Sequence, residues 1–164
     1  MGQIHQLTRR TAERLQAELT DLTTRGRIEI AQAIERAREL GDLSENGDYH
    51  AAKDQQGLME GRIRQLQSIL EDHEVVEQDV IAQHVESGTV YIGTVVKIVY
   101  EGDDHDDAET YIVGHVEEKT DEFMVISPTS PIGSAVIGKK VTDWVEYEGP
   151  RGKLRVQILH VEPA

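Results

Sequence analysis

Three carboxylates lie close together in one short polar segment of the sequence. Asp42, Glu45 and Asp48 fall within seven residues, interleaved with neutral polar side chains and Gly47. Adjacent carboxylates repel one another, and a hard divalent cation would relieve that repulsion. The segment therefore has two interpretations, a turn that takes part in cation binding and an ordinary solvated turn.

The beginning of this segment matches a calcium-binding EF-hand loop, but its end does not. Asp42, Ser44, Asn46 and Gly47 fit the first positions, whereas Lys53 stands where the loop needs a bidentate Glu. This excludes an EF-hand. Two or three exposed carboxylates also cannot enclose Mg²⁺, which keeps several waters and usually shares its ligands with a substrate phosphate. A useful metal site here would need ligands from another molecule.

Apolar residues on both sides of the segment repeat with a helical period. One stripe runs from Leu15 to Leu40 in steps of three and four, with an extra step of four near Gly26, where the winding should relax. A second stripe runs from Ala52 to His73. Two long helices joined by a short turn lie side by side and antiparallel. We therefore predict a coiled-coil hairpin over residues 1–77, with residues 41–49 as its tip.

The predicted first helix is long compared with the rest of the chain. A helix from Thr8 to Leu40 would measure about 50 Å at 1.5 Å per residue. A globule of the remaining ~80 residues would have a radius of gyration of about 12 Å. We expect the hairpin to project into solvent; the alternative is a helical bundle formed by dimerisation.

The second half of the chain changes to the alternating pattern of β-strands. Sequential strands with one short helix, in the segment 127–138, predict a small α+β domain with a mostly antiparallel sheet over residues 88–164. Residues 78–87 are the predicted linker, and Phe123, Trp144 and Tyr147 are expected in the sheet core. The predicted strands are Thr89–Tyr100, Glu109–Val116, Glu122–Ile126, Val141–Tyr147 and Lys153–Val161.

Composition narrows the class of partner. The 164 residues contain 17 Lys and Arg against 31 Asp and Glu, a net charge of −14, which disfavours a protein that coats duplex DNA. There is no cysteine, no apolar run of the roughly 20 residues needed to span a bilayer, and no apolar segment typical of a secretory signal. These features predict a cytoplasmic protein that does not associate with membranes.

Two motifs resemble those of the bacterial GreA/GreB transcript cleavage factors. The first is Gly41-Asp-Leu-Ser-Glu-Asn-Gly-Asp-Tyr-His-Ala-Ala-Lys-Asp-Gln-Gln-Gly57, followed by Glu60-Gly-Arg-Ile63. The second is Ser127-Pro-Thr-Ser-Pro-Ile-Gly with Ile137-Gly-Lys-Lys. The resemblance covers essentially the whole chain. It implies an N-terminal antiparallel coiled coil and a C-terminal domain with an FKBP-like fold that serves for docking.

The resemblance also implies a partner and an activity. Members of this family dock at the rim of the secondary channel of RNA polymerase and pass the coiled coil through it. There they stimulate the polymerase's own Mg²⁺-dependent endonuclease, which cuts backtracked RNA near its 3′ end and restarts arrested elongation. The chain would then be an accessory factor and not an enzyme, working as a monomer that contacts polymerase and the nascent RNA 3′ end.

Particular residues acquire expected roles from the same resemblance. Asp42 and Glu45 correspond to the family's two acidic tip residues, which help to hold a weakly bound Mg²⁺ shared with the polymerase and position the attacking water. The isolated protein is not expected to bind that ion tightly. Ser44 and Asn46 are expected to hydrogen-bond the water or a phosphate oxygen.

Three other residues at or beside the tip each have two interpretations, and two differ from the common family residue. Tyr49 stacks on an extruded RNA base or packs the turn onto the helices. Arg38 and Lys53 match basic positions that contact the RNA 3′ segment, or they form ion pairs with acidic neighbours on a solvated helix face. Asp48 supports the tip and stands where relatives commonly have Glu, while Gly47 stands where Ala is common. We predict no loss of activity from either difference.

Two other functions remain open at this point. The first is a channel-binding inhibitor of the same architecture that blocks transcription without promoting cleavage. The neutral Ser44 and Asn46 and the intact spacing of Asp42 and Glu45 favour cleavage over inhibition. The second is a coiled-coil adaptor or chaperone with no chemistry at its tip.

Overall fold

The computed structural model describes residues 2–164, which form two compact units. The helical unit contains Ala12–Asp72, and the β-rich unit contains Ile4–Thr11 together with His73–Ala164. No helix within residues 2–164 is both long and apolar enough to cross a membrane. The α+β class is confirmed. The helices are α1 Arg9–Asp21, α2 Arg27–Arg38, α3 Gly47–Glu71, α4 Gln78–Glu86 and α5 Pro131–Val136.

Helix α3 forms the predicted antiparallel hairpin with the arm that contains α1 and α2. Arg62, late in α3, donates to Glu18 Oε1 at 2.7 Å, and Glu60 accepts from Arg27 Nε at 2.9 Å. Residues that are early in one arm therefore face residues that are late in the other. The 25 residues of α3 give an arm about 37 Å long.

A π-helical turn, Leu22–Gly26, separates α1 from α2. The amide of Arg27 bonds to the carbonyl of Leu22, five residues back, and the hydroxyl of Thr24 donates to the carbonyl of Thr20 at 2.6 Å. Such back-bonding by Ser and Thr competes with regular helix geometry. The prediction that the winding relaxes near Gly26 is confirmed.

Most positions of the predicted stripes lie in the interior of the helical unit, and the clearest departure lies near the tip. Leu15, Ile63 and Leu66 are almost completely buried. Leu40, the predicted last member of the first stripe, is 69% exposed, and Ile34 is buried instead. The reason is that α2 ends at Arg38, so Leu40 lies in the turn and no longer follows the helical period.

The β-rich unit contains two sheets. The larger has five strands in the order β5-β4-β3-β7-β6, and the smaller pairs β1 with β2 in parallel. The larger sheet is antiparallel except for the pair β4 and β5, which is parallel, so the expected mostly antiparallel sheet is confirmed. The strands are β1 His5–Thr8, β2 His73–Val76, β3 Thr94–Tyr100, β4 Glu109–Val113, β5 Met124–Ile126, β6 Trp144–Gly149 and β7 Gly152–Pro163.

The core of the larger sheet consists of small β-branched side chains that α5 covers. Val136 of α5 is completely buried, and it packs with residues such as Val96, Ile98 and Ile158. Trp144, expected in this core, is 44% exposed, and the Arg155 guanidinium lies 5.0 Å from its ring centroid. Tyr147 packs against the core as predicted.

The boundaries between the units differ from those predicted. Residues 78–87, predicted as a linker, contain helix α4, whose Ile81 packs in a small cluster with Val76 and Ile92. Helix α3 ends at Glu71, so His73 belongs to strand β2 and not to the helical stripe. Strands β1 and β2 were not predicted, because each has only four residues and pairs with a segment far away in sequence.

Candidate functional site at the hairpin tip

The tip, residues 41–49, begins with a sharp change in backbone direction. The amide of Gly41 bonds to the carbonyl of Arg38 at 3.2 Å as α2 ends. Gly41 has a φ of 108°, which side chains with a Cβ rarely adopt. The glycine thus allows the chain to leave α2 and turn towards α3.

Asp42 organises the residues that follow it. Its Oδ1 accepts a hydrogen bond from the Ser44 amide at 3.1 Å and another from the Ser44 hydroxyl at 2.9 Å. This is the local bonding by which Asp shapes turns. One carboxylate oxygen of Asp42 therefore fixes the turn, while the side chain as a whole stays exposed.

The Asn46 side chain bonds to both helices at the tip. Its Oδ1 accepts from the Tyr49 amide at 3.1 Å and caps α3, and its Nδ2 donates to the carbonyl of Ala37 at 2.5 Å. One side chain thus satisfies a free amide at the start of α3 and gives a second donor to the Ala37 carbonyl, which also accepts from the Leu40 amide at 3.2 Å. The structure gives Asn46 a role in holding the two helices together at the tip. The expected bond to water or phosphate remains a prediction.

The start of α3 adds ring contacts to this arrangement. Tyr49 is half-buried, and the guanidinium of Arg38 lies 5.9 Å from its ring centroid. The rings of Tyr49 and His50 meet edge to face at 5.7 Å. These contacts favour the interpretation that Tyr49 packs the turn onto the helices. Asp48, in the first turn of α3, lies where the helix dipole favours a negative charge.

The two predicted acidic residues point their carboxylates to solvent. Asp42 and Glu45 are exposed and line an open depression of about 400 Å³. No hydrogen bond or ion pair with a described residue engages Glu45. Other residues lining the depression are Leu40, Asn46, Gly47 and Asp48. The depression thus presents carboxylate oxygens on a turn that the surrounding hydrogen bonds hold in shape.

The donor set suits a hard cation but is incomplete. Carboxylate oxygens are the ligands that Mg²⁺ prefers, and the tip supplies three exposed carboxylates, those of Asp42, Glu45 and Asp48. Within residues 2–164, no group of three or more His, Asp or Glu side chains is placed to hold a metal ion. The residues therefore fit a shared ion, to which another molecule contributes the remaining ligands.

The two predicted basic residues flank the tip and form no ion pair with an acidic side chain within residues 2–164. Lys53 donates to Gln56 Oε1 at 2.8 Å, and Arg38 lies against Tyr49. Both side chains are exposed. Their charges are consequently available to an anionic partner.

The second motif has a structural explanation. Ser130 caps α5 by accepting from the Gly133 amide at 3.1 Å, and Pro131 opens that helix. A Cβ on Gly133 would lie 1.8 Å from the carbonyl oxygen of Ser127. The Ser-Pro-Ile-Gly part of the motif is thus explained by a tight helix start that only glycine can complete.

Comparison with known families matches the chain in two consecutive segments. Residues 5–75 match the family described as transcription elongation factor, N-terminal, and residues 85–163 match transcription elongation factor, GreA/GreB, C-term. These two matches cover nearly the whole chain. The chain therefore belongs to the GreA/GreB family of transcription elongation factors.

Individual relatives carry the same family name. The chain is 42% identical over 156 residues to transcription elongation factor GreA of Roseiflexus castenholzii, covering 95% of this chain and 96% of that protein. It is 44% identical over 158 residues to GreA of Streptomyces coelicolor, covering 96% and 92%. Among solved structures, GreA factor homolog 1 (Gfh1) of Thermus thermophilus matches 98% of this chain and 99% of that chain, with 24% identity and a TM-score of 0.43.

Proposed function

We propose that this protein enters the secondary channel of bacterial RNA polymerase tip first and stimulates the polymerase's own cleavage of backtracked RNA. The observation that carries the proposal is the pair of exposed carboxylates, Asp42 and Glu45, on a turn held between two antiparallel helices. The protein then acts as an accessory factor in the cytoplasm, and the bond-breaking chemistry belongs to the polymerase.

The exposure of the carboxylates supports this role. Glu45 accepts no bond from a described residue, and Asp42 uses one oxygen within the turn. Asp42 and Glu45 keep oxygens free for a partner.

The hydrogen bonds that hold the tip in shape also support the proposed role of the two carboxylates. Asn46 bonds to both helices, Gly41 fixes the exit from α2, and Tyr49 packs beside Arg38. Catalytic groups act best when the surrounding structure holds them in place before the reaction. A carboxylate on a disordered loop would have to be ordered each time at an entropic cost.

The incomplete donor set points to a shared ion. Asp42 and Glu45 would hold a Mg²⁺ for which the polymerase supplies the other ligands; such an ion lowers the pKa of a bound water and neutralises developing charge on phosphate oxygens. Asp42 and Glu45 also orient water by accepting its hydrogen bonds. Arg38 and Lys53, both exposed, attract the phosphates of the RNA 3′ segment.

A cleavage assay tests the proposal. The protein is added to a backtracked elongation complex carrying 3′-labelled RNA and Mg²⁺, and short 3′ fragments are followed in time. We expect Asp42→Asn and Glu45→Gln each to reduce the cleavage rate by about 10²-fold, the usual effect of removing one group that stabilises a transition state. Binding to polymerase, measured separately, should persist.

Glu39→Gln is the matched control. Glu39 is also exposed and lies three residues before Asp42, and its replacement by Gln removes one negative charge, as each test substitution does. It should retain near wild-type cleavage. Fragments that persist at the wild-type rate in the Asp42→Asn/Glu45→Gln double variant would refute the metal role. Inhibition of transcription without any fragments from the wild type would instead indicate the channel-blocking function, and no effect on polymerase would indicate an adaptor.

A further inference from the structure

A buried carboxylate holds the junction between strand β1 and helix α1 in the β-rich unit. Glu118 ends a short 3₁₀-helix, Val116–Glu118, and is only 1% exposed. Its Oε1 accepts from the Thr8 amide at 2.8 Å, and its Oε2 accepts from the hydroxyls of Thr8 and Thr11 at 2.9 and 2.7 Å. Thr8 ends β1, and Thr11 lies in the first turn of α1.

Two histidines join the same two segments. Nδ1 of His5, in β1, lies 3.0 Å from Nε2 of His115, which precedes the 3₁₀-helix. The other ring nitrogen of His115, Nδ1, accepts a hydrogen bond from the Glu117 amide at 3.1 Å. Because Nδ1 of His115 is an acceptor, the neutral ring carries its proton on Nε2 and donates it to His5 Nδ1.

This arrangement requires both rings to be neutral. A proton on His5 Nδ1 would face the N–H of His115 across 3.0 Å. A shift of the His115 proton to Nδ1 would relieve that clash, but it would remove the acceptor of the Glu117 amide. Proton uptake by either ring therefore breaks at least one of the two hydrogen bonds.

The surroundings of His115 disfavour its charged form. Burial lowers the pKa of His115, and the neighbouring His5 lowers it further, whereas Glu117 and Glu118 act in the opposite direction. His73 pairs with His5 in the β1–β2 ladder and adds a third titratable ring near this edge.

One ion pair lies beside this junction. Arg9, the first residue of α1, donates from Nε to Glu77 Oε2 at 3.0 Å. This exposed pair does not titrate between pH 5 and 8, because the pKa of Glu77 lies below its ordinary value. It therefore cannot account for a change near neutral pH.

We propose that His5, Thr8, Thr11, His115 and Glu118 form a pH-sensitive latch that holds β1 and the first turn of α1 at neutral pH and releases them in mildly acidic solution. Since His115 binds a proton less readily when latched, the released state takes up more protons as the pH falls. The latch contributes fully above the ordinary histidine pKa of about 6.5 and weakens below it. This inference does not depend on the proposed role of the tip.

Amide hydrogen exchange on the full chain tests the latch. The reporter is the Thr8 amide, which bonds to Glu118. Its protection factor, already corrected for intrinsic exchange, is measured at pH 7.5 and pH 5.5. We expect it to fall at the lower pH, by up to about tenfold per pH unit for each proton taken up.

Variants assign the pH dependence to the histidine pair. The double variant His5→Gln/His115→Gln should lose it. His160→Gln should keep it, because His160 is exposed and lies 3.4 Å from Glu162, apart from the latch. Equal wild-type protection factors at the two pH values would overturn the proposal, as would an unchanged pH dependence in the double variant.

A second measurement covers the case in which the double variant does not fold. The ring resonances of His5 and His115 in the wild type are followed by NMR over the same pH range. We expect the His115 resonances to titrate below the ordinary histidine pKa, and the resonances of both rings to change in step with exchange at Thr8. A titration of His115 at the ordinary value, or ring changes unconnected with Thr8 exchange, would overturn the latch.

Discussion

Replacing Asn46 should loosen the tip more than any other single change in residues 41–49. Asn46→Ala removes the acceptor that caps α3 at the Tyr49 amide and the donor to the Ala37 carbonyl. Loss of an N-cap costs about 1 kcal/mol, and loss of a further hydrogen bond costs about 1 kcal/mol. We therefore expect local opening at the start of α3 to become favourable by about 2 kcal/mol.

Hydrogen exchange measures this change at the site itself. An energy of about 2 kcal/mol corresponds to roughly a 30-fold faster exchange for an amide that opens with the tip. The reporter is the His50 amide, which bonds to the Asn46 carbonyl and remains a donor in the variant. Circular dichroism should show that the two long helices persist, because their interiors lie away from the substitution.

Asn46→Asp separates the two hydrogen bonds. Aspartate keeps an oxygen that can cap the Tyr49 amide, but it has no N–H for Ala37. We expect an intermediate increase in exchange, about fivefold, and a partial retention of cleavage activity. If Asn46→Ala abolished cleavage while His50 exchanged at the wild-type rate, Asn46 would act directly on the RNA or water, and its assigned structural role would be refuted.

Two further substitutions test the roles of glycines. Gly57→Ala, in the interior of α3 with open space around an added Cβ, should stabilise the protein by about 0.5–1 kcal/mol, seen as a higher urea midpoint; an unchanged or lower midpoint would contradict this. Gly133→Ala should destabilise it by about 3 kcal/mol or more, because the Cβ would lie 1.8 Å from the Ser127 oxygen; a variant with the wild-type melting temperature would show that α5 is not packed as described.

The long elements were predictable because their signals are local and repeated. The stripe that includes Leu15 and the one that includes Ile63 and Leu66 extend over many turns, and the relaxed winding near Gly26 follows from a single irregular step. Strand β3 was located for the same reason, although its start shifted by several residues. The short helix in the segment 127–138 was located from its loop residues and the glycine that closes it.

Short elements with distant partners were not predictable in this way. Strands β1 and β2 have four residues each, and their pairing joins His5 with His73. Helix α4 is amphipathic but only nine residues long, so it was interpreted as a linker. The burial of Glu118 depends on two threonines about 110 positions away, which no local pattern reveals.

The candidate site likewise has features that the local sequence predicts and features that depend on the folded structure. The turn and its three carboxylates were evident from residue types and spacing, whereas the choice of Asp42 and Glu45 rests on the family resemblance. The double bonding of Asn46 was not evident, because it depends on where α2 ends and α3 begins. The contact between Arg38 and Tyr49 likewise requires the two helices to be side by side.

The π-helical turn affects which side chains of the arm face the partner helix. Each residue of a regular helix rotates the side-chain direction by about 100°. The wide turn at Leu22–Gly26 absorbs one such step, so the residues before it and after it stay in phase with the same partner helix. Its length therefore sets the angular position of every later side chain in this arm, including those that lead into the acidic turn.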